Sequence, residues 1–142
     1  MLVNLNDVLI PAQKGGYAVG LFNTTDSDML EAVIAAAEET RSPVIIGTAE
    51  VLLPYGELKL IAPSVRAAAE RATVPVVMHY DHGLTVERCK EAISLGFSSV
   101  MFDGSTAEGE ENIALTRSVV EMCHANGISV EGEIGHVGSN EG

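Results

Sequence analysis

Positive charge is scarce in this chain. Lys and Arg total 8 against 20 Asp and Glu, for a formal net charge of −12. An excess of that sign argues against wrapping a nucleic-acid backbone or lying on an anionic membrane. Long apolar runs are missing as well. Stretches such as Ala32–Ala37 (AVIAAA) fall far short of the roughly 18–20 residues that a membrane span needs. No basic residue precedes the apolar opening MLVNLNDVLI, so it does not read as a secretory signal. Two cysteines, Cys89 and Cys123, are too few for a disulfide framework, and both fall in helix-like segments. A reducing cytoplasm is the expected compartment. Trp is absent. Lysine is sparse: Lys14, Lys59 and Lys90 all lie off the predicted strands. A Schiff-base mechanism, which needs an amine in a low-dielectric pocket, therefore has no good candidate. A Gly-rich phosphate fingerprint is also lacking, because Gly15-Gly16 precedes a strand rather than following one.

What is present is an apolar content of 46% over 142 residues, enough for the core of one soluble globular domain. Five short runs favour strands: Tyr17–Phe22, Pro43–Gly47, Pro75–Tyr80, Ser98–Phe102 and Ile128–Gly132. Most are near-continuous in apolarity, as suits parallel strands buried on both faces. Amphipathic helices fall between them. Leu30, Val33, Ile34 and Ala37 form one stripe, with Asp26 or Ser27 as cap. Further helices are expected near Glu57–Ala72 and Val86–Leu95. Another starts from a Ser105 or Thr106 cap, carries Ile113, Val120 and Cys123 at helical spacing, and ends at Asn126-Gly127. An opening helix near Leu5–Gln13 meets Pro11, which is expected to break its interior.

Repeated βα units imply a parallel sheet, either doubly wound or closed into a (β/α)₈ barrel. Chemistry collects at one switch point in the first and at many strand ends in the second. Here every strand ends in a polar cluster: Asn23-Thr24-Thr25, Thr48-Ala49-Glu50, Asp81-His82-Gly83, Asp103-Gly104-Ser105 and Glu133-Ile134-Gly135-His136. That distribution favours the barrel. Eight units at the observed spacing need about 230–250 residues, so 142 residues correspond to about the first five βα units.

Three clusters could carry chemistry. In His79-Tyr80-Asp81-His82-Gly83, alternation puts His79 and Asp81 on one side of the strand, and His82 follows where the chain leaves the sheet. Imidazole is a common metal ligand and a neighbouring carboxylate can serve as acid or base. The plainer alternative has Asp81 capping a helix and His82 solvated in a loop. Asp103-Gly104-Ser105 also fits ordinary turn and capping chemistry. Glu131 and Glu133 share one side of their strand, and Glu133 lies nearer its carboxyl end. Interior carboxylates need a partner or a metal, and basic residues are few. One His with two or three carboxylates suits a divalent cation, with His136 as a further local donor; His124 reads as a surface residue.

In this order, GGYAVGLFN (Gly15–Asn23), AAEETRSPVII (Ala36–Ile46), VPVVMHYDHG (Val74–Gly83), SLGFSSVMFDGS (Ser94–Ser105), EENIALT (Glu110–Thr116) and VEGEIGHVG (Val130–Gly138) resemble the class II, zinc-dependent fructose-bisphosphate and tagatose-bisphosphate aldolases. The resemblance covers essentially the whole chain. It implies a (β/α)₈ barrel, of which residues 1–142 are the N-terminal portion of a single domain, in homodimers or homotetramers. It implies reversible cleavage of a ketose (bis)phosphate to dihydroxyacetone phosphate and an aldehyde through a metal-stabilised enediolate. Asp81 matches the proton donor or acceptor on the aldehyde half. His82 matches the first of three zinc histidines. Asp103 and Glu133 match carboxylates of a second metal site or of the zinc's resting position, so two Zn²⁺ sites are implied. Glu141 lies near the acidic residue that removes a proton from the donor, and Asn23 matches an Asn of the substrate pocket. Ala49 stands where the family often has Ser or Thr, and Tyr80 where it commonly has Leu. The other two zinc histidines belong to later strands. A chain holding one of three motivates a rival expectation: a non-catalytic partial barrel acting as a structural or assembly subunit.

Overall fold

The computed structural model describes residues 1–135. In chain order the elements are β1 (Leu2–Val3), α1 (Leu5–Gly15), β2 (Leu21–Asn23), α2 (Ser27–Thr40), β3 (Val44–Ala49), a 3₁₀ helix (Glu50–Tyr55), α3 (Leu58–Arg71), β4 (Val76–Gly83), α4 (Val86–Ser94), β5 (Ser99–Phe102), α5 (Gly109–His124) and β6 (Ser129–Gly132). The strands pair in the order β2-β3-β4-β5-β6, all parallel. The short β1, absent from the sequence-based expectation, pairs with the first residues of β4.

Side-chain alternation divides the sheet into two faces. Val44 and Ile46 of β3, Val76, Met78 and Tyr80 of β4, and Val100 and Phe102 of β5 bury one face against the helices. Leu30 and Ala37 of α2, Ala62 and Val65 of α3, Cys89 and Ala92 of α4, and Val119 and Cys123 of α5 complete that core. The other face carries Ile45 and Val77, which pack with Leu5 and Val8 of α1. So α1 covers the inner face at the starts of the strands and leaves their carboxyl ends open. Each fully buried Val, Leu or Ile contributes on the order of 1.5–3 kcal/mol by leaving water.

Several elements differ from the sequence-based expectation. Helix α1 runs through Pro11 to Gly15. Asn4 and Asp7 cap its start reciprocally, and Gly16 ends it at φ 68°. With Leu5, Val8 and Ala12 buried, these features outweigh the roughly 3 kcal/mol that an interior proline costs. Strand β2 is shorter than Tyr17–Phe22 and its side chains are largely exposed. So are those at the end of β6. Both are terminal strands of the described sheet, paired on one edge only, whereas β3 and β5 are buried throughout. Helix α2 is capped by Asp26, whose side chain accepts from Met29 N–H. The cap expected of Ser105 or Thr106 is not made, because α5 begins at Gly109 after Glu108. Its buried residues are Asn112, Val119 and Cys123, while Ile113 is exposed.

Candidate active site

The carboxyl ends of β4, β5 and β6 converge on one set of polar side chains. Strand β4 is longer than the sequence implied and continues to Gly83, so His82 lies within the strand rather than after it. Its pairing with β5 slips between Tyr80 and Gly83: Tyr80 faces Val100 and Gly83 faces Phe102. One extra residue on β4 makes a bulge, which re-aims side chains. His82 absorbs it at φ 50°, a left-handed conformation rarely taken by a residue with a Cβ. Strain of this kind clusters at functional sites. Strict alternation would send Asp81 and His82 to opposite faces; with the bulge, His82 meets carboxylates of the inner face.

His82 Nδ1 lies 3.0 Å from Asp103 Oδ2 and 3.7 Å from Glu133 Oε2. One ligand atom from each of the three falls within 4.8 Å of the others. Asp103 is fixed from a second direction, since its Oδ1 accepts from the backbone N–H and hydroxyl of Ser105 at 3.0 and 2.6 Å. The turn chemistry of Asp-Gly-Ser and a place in this cluster therefore coexist, one carboxylate oxygen serving each. Behind Glu133, its backbone carbonyl accepts from the Asn112 amide at 2.8 Å, which ties the end of β6 to α5.

Electrostatics match this arrangement. The Asp103 hydrogen bond raises the His82 imidazole above its ordinary pKa against the opposing effect of burial, and the charges of Asp81, Asp103 and Glu133 add to it. Burial pushes Asp103 upward, but the hydrogen bonds from Ser105 and His82 outweigh it and the carboxyl ends lower than usual. Among the described residues, no Lys or Arg forms an ion pair with Asp81, Asp103, Glu131 or Glu133. An imidazole and two carboxylates, close together and with no Lys or Arg paired to them, are a donor set that fits a divalent metal.

Asp81 sits beside this cluster and does not cap a helix. The cap of α4 is Thr85, whose side chain accepts from Arg88 N–H. Below Asp81, His79 is fully buried, with Nδ1 2.8 Å from Ser99 Oγ and Nε2 3.6 Å from both Asp81 Oδ1 and Glu131 Oε2. Asn23 lies two strands away. It shares a register line across the sheet with Gly47, His79, Ser99 and Ser129. Its Oδ1 is buried without a partner and lies 2.6 Å from where a Cβ on Gly47 would stand. The bare Gly47 thus leaves the space the Asn23 side chain uses.

Sequence reasoning missed two supports. Ser99 reads only as a strand residue until the register pairs it with His79. Glu50, marked as a polar strand end, faces away from the cluster: its Oε2 accepts from Tyr80 O–H at 2.8 Å and Leu84 N–H at 2.7 Å, anchoring the segment after β4. Tyr80 stood out in the sequence, and its hydroxyl finds this partner. Lys14, Lys59 and Lys90 all lie off the strands, as expected, each in a helix. His124 is exposed, as expected. Glu141 and His136 lie outside the described residues.

Residues 3–142 match the family model described as "Fructose-bisphosphate aldolase class-II". The fructose-bisphosphate aldolase of Geobacillus stearothermophilus is 46% identical over 143 residues, covering 99% of this chain and 50% of that protein. The 6-phospho-5-dehydro-2-deoxy-D-gluconate aldolase of Shouchella clausii is 44% identical over 142 residues, covering 98% of this chain and 48% of that protein. Among solved structures, the YdjI aldolase of Escherichia coli K12 superposes with a TM-score of 0.92 at 38% identity, over 96% of this chain and 52% of that one. The chain spans about half the length of the relatives it matches. Its parallel βα units are part of a (β/α)₈ barrel.

Proposed function

Because the chain belongs to the class II fructose-bisphosphate aldolase family, we propose that it is the N-terminal portion of the single barrel domain of a zinc-dependent aldolase. The substrate is a phosphorylated ketose, cleaved reversibly to dihydroxyacetone phosphate and an aldehyde. The observation that carries this reading is the His82–Asp103–Glu133 cluster at adjacent strand ends, with the charge of Asp81 bearing on His82.

His82, Asp103 and Glu133 are the residues that would hold the cation. When bound, the cation supplies Lewis-acid polarisation of the substrate carbonyl. The chain's own residues do the rest. Asp81 gives a proton to, or takes one from, the hydroxyl on the aldehyde half. That position needs a carboxylate held beside the reacting oxygen and free of other duties, and Asp81 caps no helix and pairs with no Lys or Arg. Asn23, with its buried unpartnered amide oxygen, binds substrate from the end of β2, two strands from Asp81. Glu141 removes the proton from the donor half. Ala49 pairs in register with Asp81 across β3 and β4 and presents no hydroxyl there. With Asp81 assigned to the aldehyde half, this register supports a difference in substrate contact on that side. The protein is expected to be a cytoplasmic homodimer or homotetramer, and no helix among the described residues is long and apolar enough to cross a membrane.

The test is a retro-aldol assay on the protein as the cell makes it, against a panel of ketose phosphates. Cleavage is expected, with loss on exhaustive chelation and return on adding Zn²⁺. Cleavage that persists in fully metal-free protein overturns the reading. Absence of any cleavage in the zinc-loaded protein favours the assembly-subunit alternative.

A further inference from the structure

The strand-end carboxylates fall into two sets, each with its own histidine. His82 lies against Asp103 and Glu133. His79 lies against Asp81 and Glu131. The first set is about half open at the histidine, while the second is built on a histidine with no exposure at all. A fully buried imidazole on the inner face of a strand is costly unless both nitrogens are satisfied. His79 Nδ1 has the Ser99 hydroxyl at 2.8 Å, but Nε2 has no hydrogen-bond partner and points at two carboxylates, each 3.6 Å away.

Donor and acceptor chemistry decides which nitrogen carries the proton. Ionised carboxylates only accept, whereas a hydroxyl can donate or accept. A bare Nε2 lone pair would face two carboxylates with nothing between them but repulsion. A proton on Nε2 is attracted to both, and the Ser99 hydroxyl then donates to Nδ1. For a neutral imidazole, the order across the strands that fits these partners is Ser99 O–H to His79 Nδ1, and His79 Nε2–H toward Asp81 and Glu131. The arrangement joins β5, β4 and β6 beneath the mouth of the site.

We propose that His79 is a positioning residue: braced by Ser99, its Nε2–H holds Asp81 apart from the His82–Asp103–Glu133 cluster and aimed for proton transfer. This rests on the reading of Asp81 as the proton-transfer group. The need for such a device follows from the crowding. With no Lys or Arg paired to it, Asp81 is one of four carboxylates around one mouth, and a bound cation would attract it as strongly as it attracts its neighbours. A donor from below keeps Asp81 from becoming a further ligand. Glu131, half exposed on β6, shares the same donor and lies outside the tight cluster of three.

The experiment uses the protein as the cell makes it, in wild-type, His79→Leu, His79→Gln, Asp81→Asn and His79→Leu/Asp81→Asn forms. His79→Leu is expected to lower kcat by about 30–100-fold, a fraction of the general acid–base contribution, with KM within about threefold. Bound zinc per chain is expected to stay the same. His79→Gln, which returns an N–H near the Nε2 position, is expected to recover at least about tenfold of the loss. The double variant is expected to be no slower than Asp81→Asn alone, because residues acting through one another are non-additive. If His79→Leu does not fold, Ser99→Ala replaces it, with an expected kcat loss of about fivefold or more at unchanged zinc content. Wild-type kcat in the folded histidine variant, multiplicative losses in the double variant, or zinc lost along with kcat each overturn the proposal. A second readout does not depend on turnover: ¹⁵N shifts of His79 in the wild-type protein report its tautomer. Protonation at Nε2 supports the proposal and a bare Nε2 overturns it. A wild-type protein that cleaves no ketose phosphate defeats the aldolase reading instead, and the tautomer still decides the role of His79 as the donor to Asp81.

Discussion

Asp81 and His82 are sequence neighbours to which the proposed function gives different work. Asp81→Asn removes the ionisable group but leaves the cluster of three intact. It is expected to reduce retro-aldol turnover by about 10²–10⁴-fold with bound zinc unchanged. His82→Ala is expected to do the reverse at the level of binding, losing zinc first and turnover as a consequence. Steady-state kinetics beside metal analysis separates the two, and equal zinc loss in both variants would show that the roles are misassigned. In the metal-free protein His82 titrates above its ordinary value of 6.5, chiefly through Asp103. A pKa raised on folding means that the stabilisation is fully present below the unfolded value and is lost as pH rises through the folded one. Asp103, lowered on folding, contributes in the other direction, above its unfolded value, and loses that contribution as pH falls through the lowered one. NMR titration is expected to show Asp103→Asn returning His82 toward 6.5. A His82 titration indifferent to Asp103→Asn would remove the ion pair from the account.

Among the elements, β4 determines the most about the site. Its first half is an ordinary buried strand, and its last residues form the bulge that turns His82 to φ 50°. Gly83 ends it in a tight place. A Cβ there would stand 2.8 Å from the Tyr80 ring, 2.9 Å from Met101 carbonyl oxygen and 3.0 Å from Cys89 Sγ. The carbonyl belongs to β5 and cannot swing aside. Gly83→Ala is therefore expected to cost about 1–3 kcal/mol in denaturant unfolding. It is also expected to weaken zinc binding, because the strain is relieved by moving the neighbouring His82. Unchanged stability and metal affinity would mean that the bulge tolerates more than its packing suggests. The polar ends of the strands were legible in the sequence because Asn, Asp, His and Glu interrupt otherwise apolar runs. The bulge was not, because an extra residue in a pairing leaves no mark on the composition of either strand. Pro11 was legible and misleading: local propensity forecast a break, and two caps with an apolar face overrode it.

At the scale of the whole molecule, the helices and the inner face form two separate packing zones, and both thiols belong to the outer one. Burial pushes Cys89 up to about 12 and Cys123 up to about 11. Neither is expected to react with a thiol reagent at neutral pH in the native state. Both are expected to react together on unfolding, because α4 and α5 share one core. Rapid labelling of one thiol under native conditions would show that its helix opens independently. Barrel class and class II aldolase family were within reach of the sequence, since βα periodicity and strand-end motifs are local patterns readable in one dimension. So were Asp81, His82, Asp103 and Glu133 as candidates, because polar residues at the ends of buried strands need a reason to be there. Their grouping was decided only in three dimensions. Which carboxylate meets which histidine depends on register, on the one-residue slip in β4 and on the reach of Ser99 and Ser105, all contacts between residues far apart in the chain. A sequence specifies side chains and their spacing along one strand; pairing between strands sets the distances across it, and proton transfer and metal binding depend on those distances.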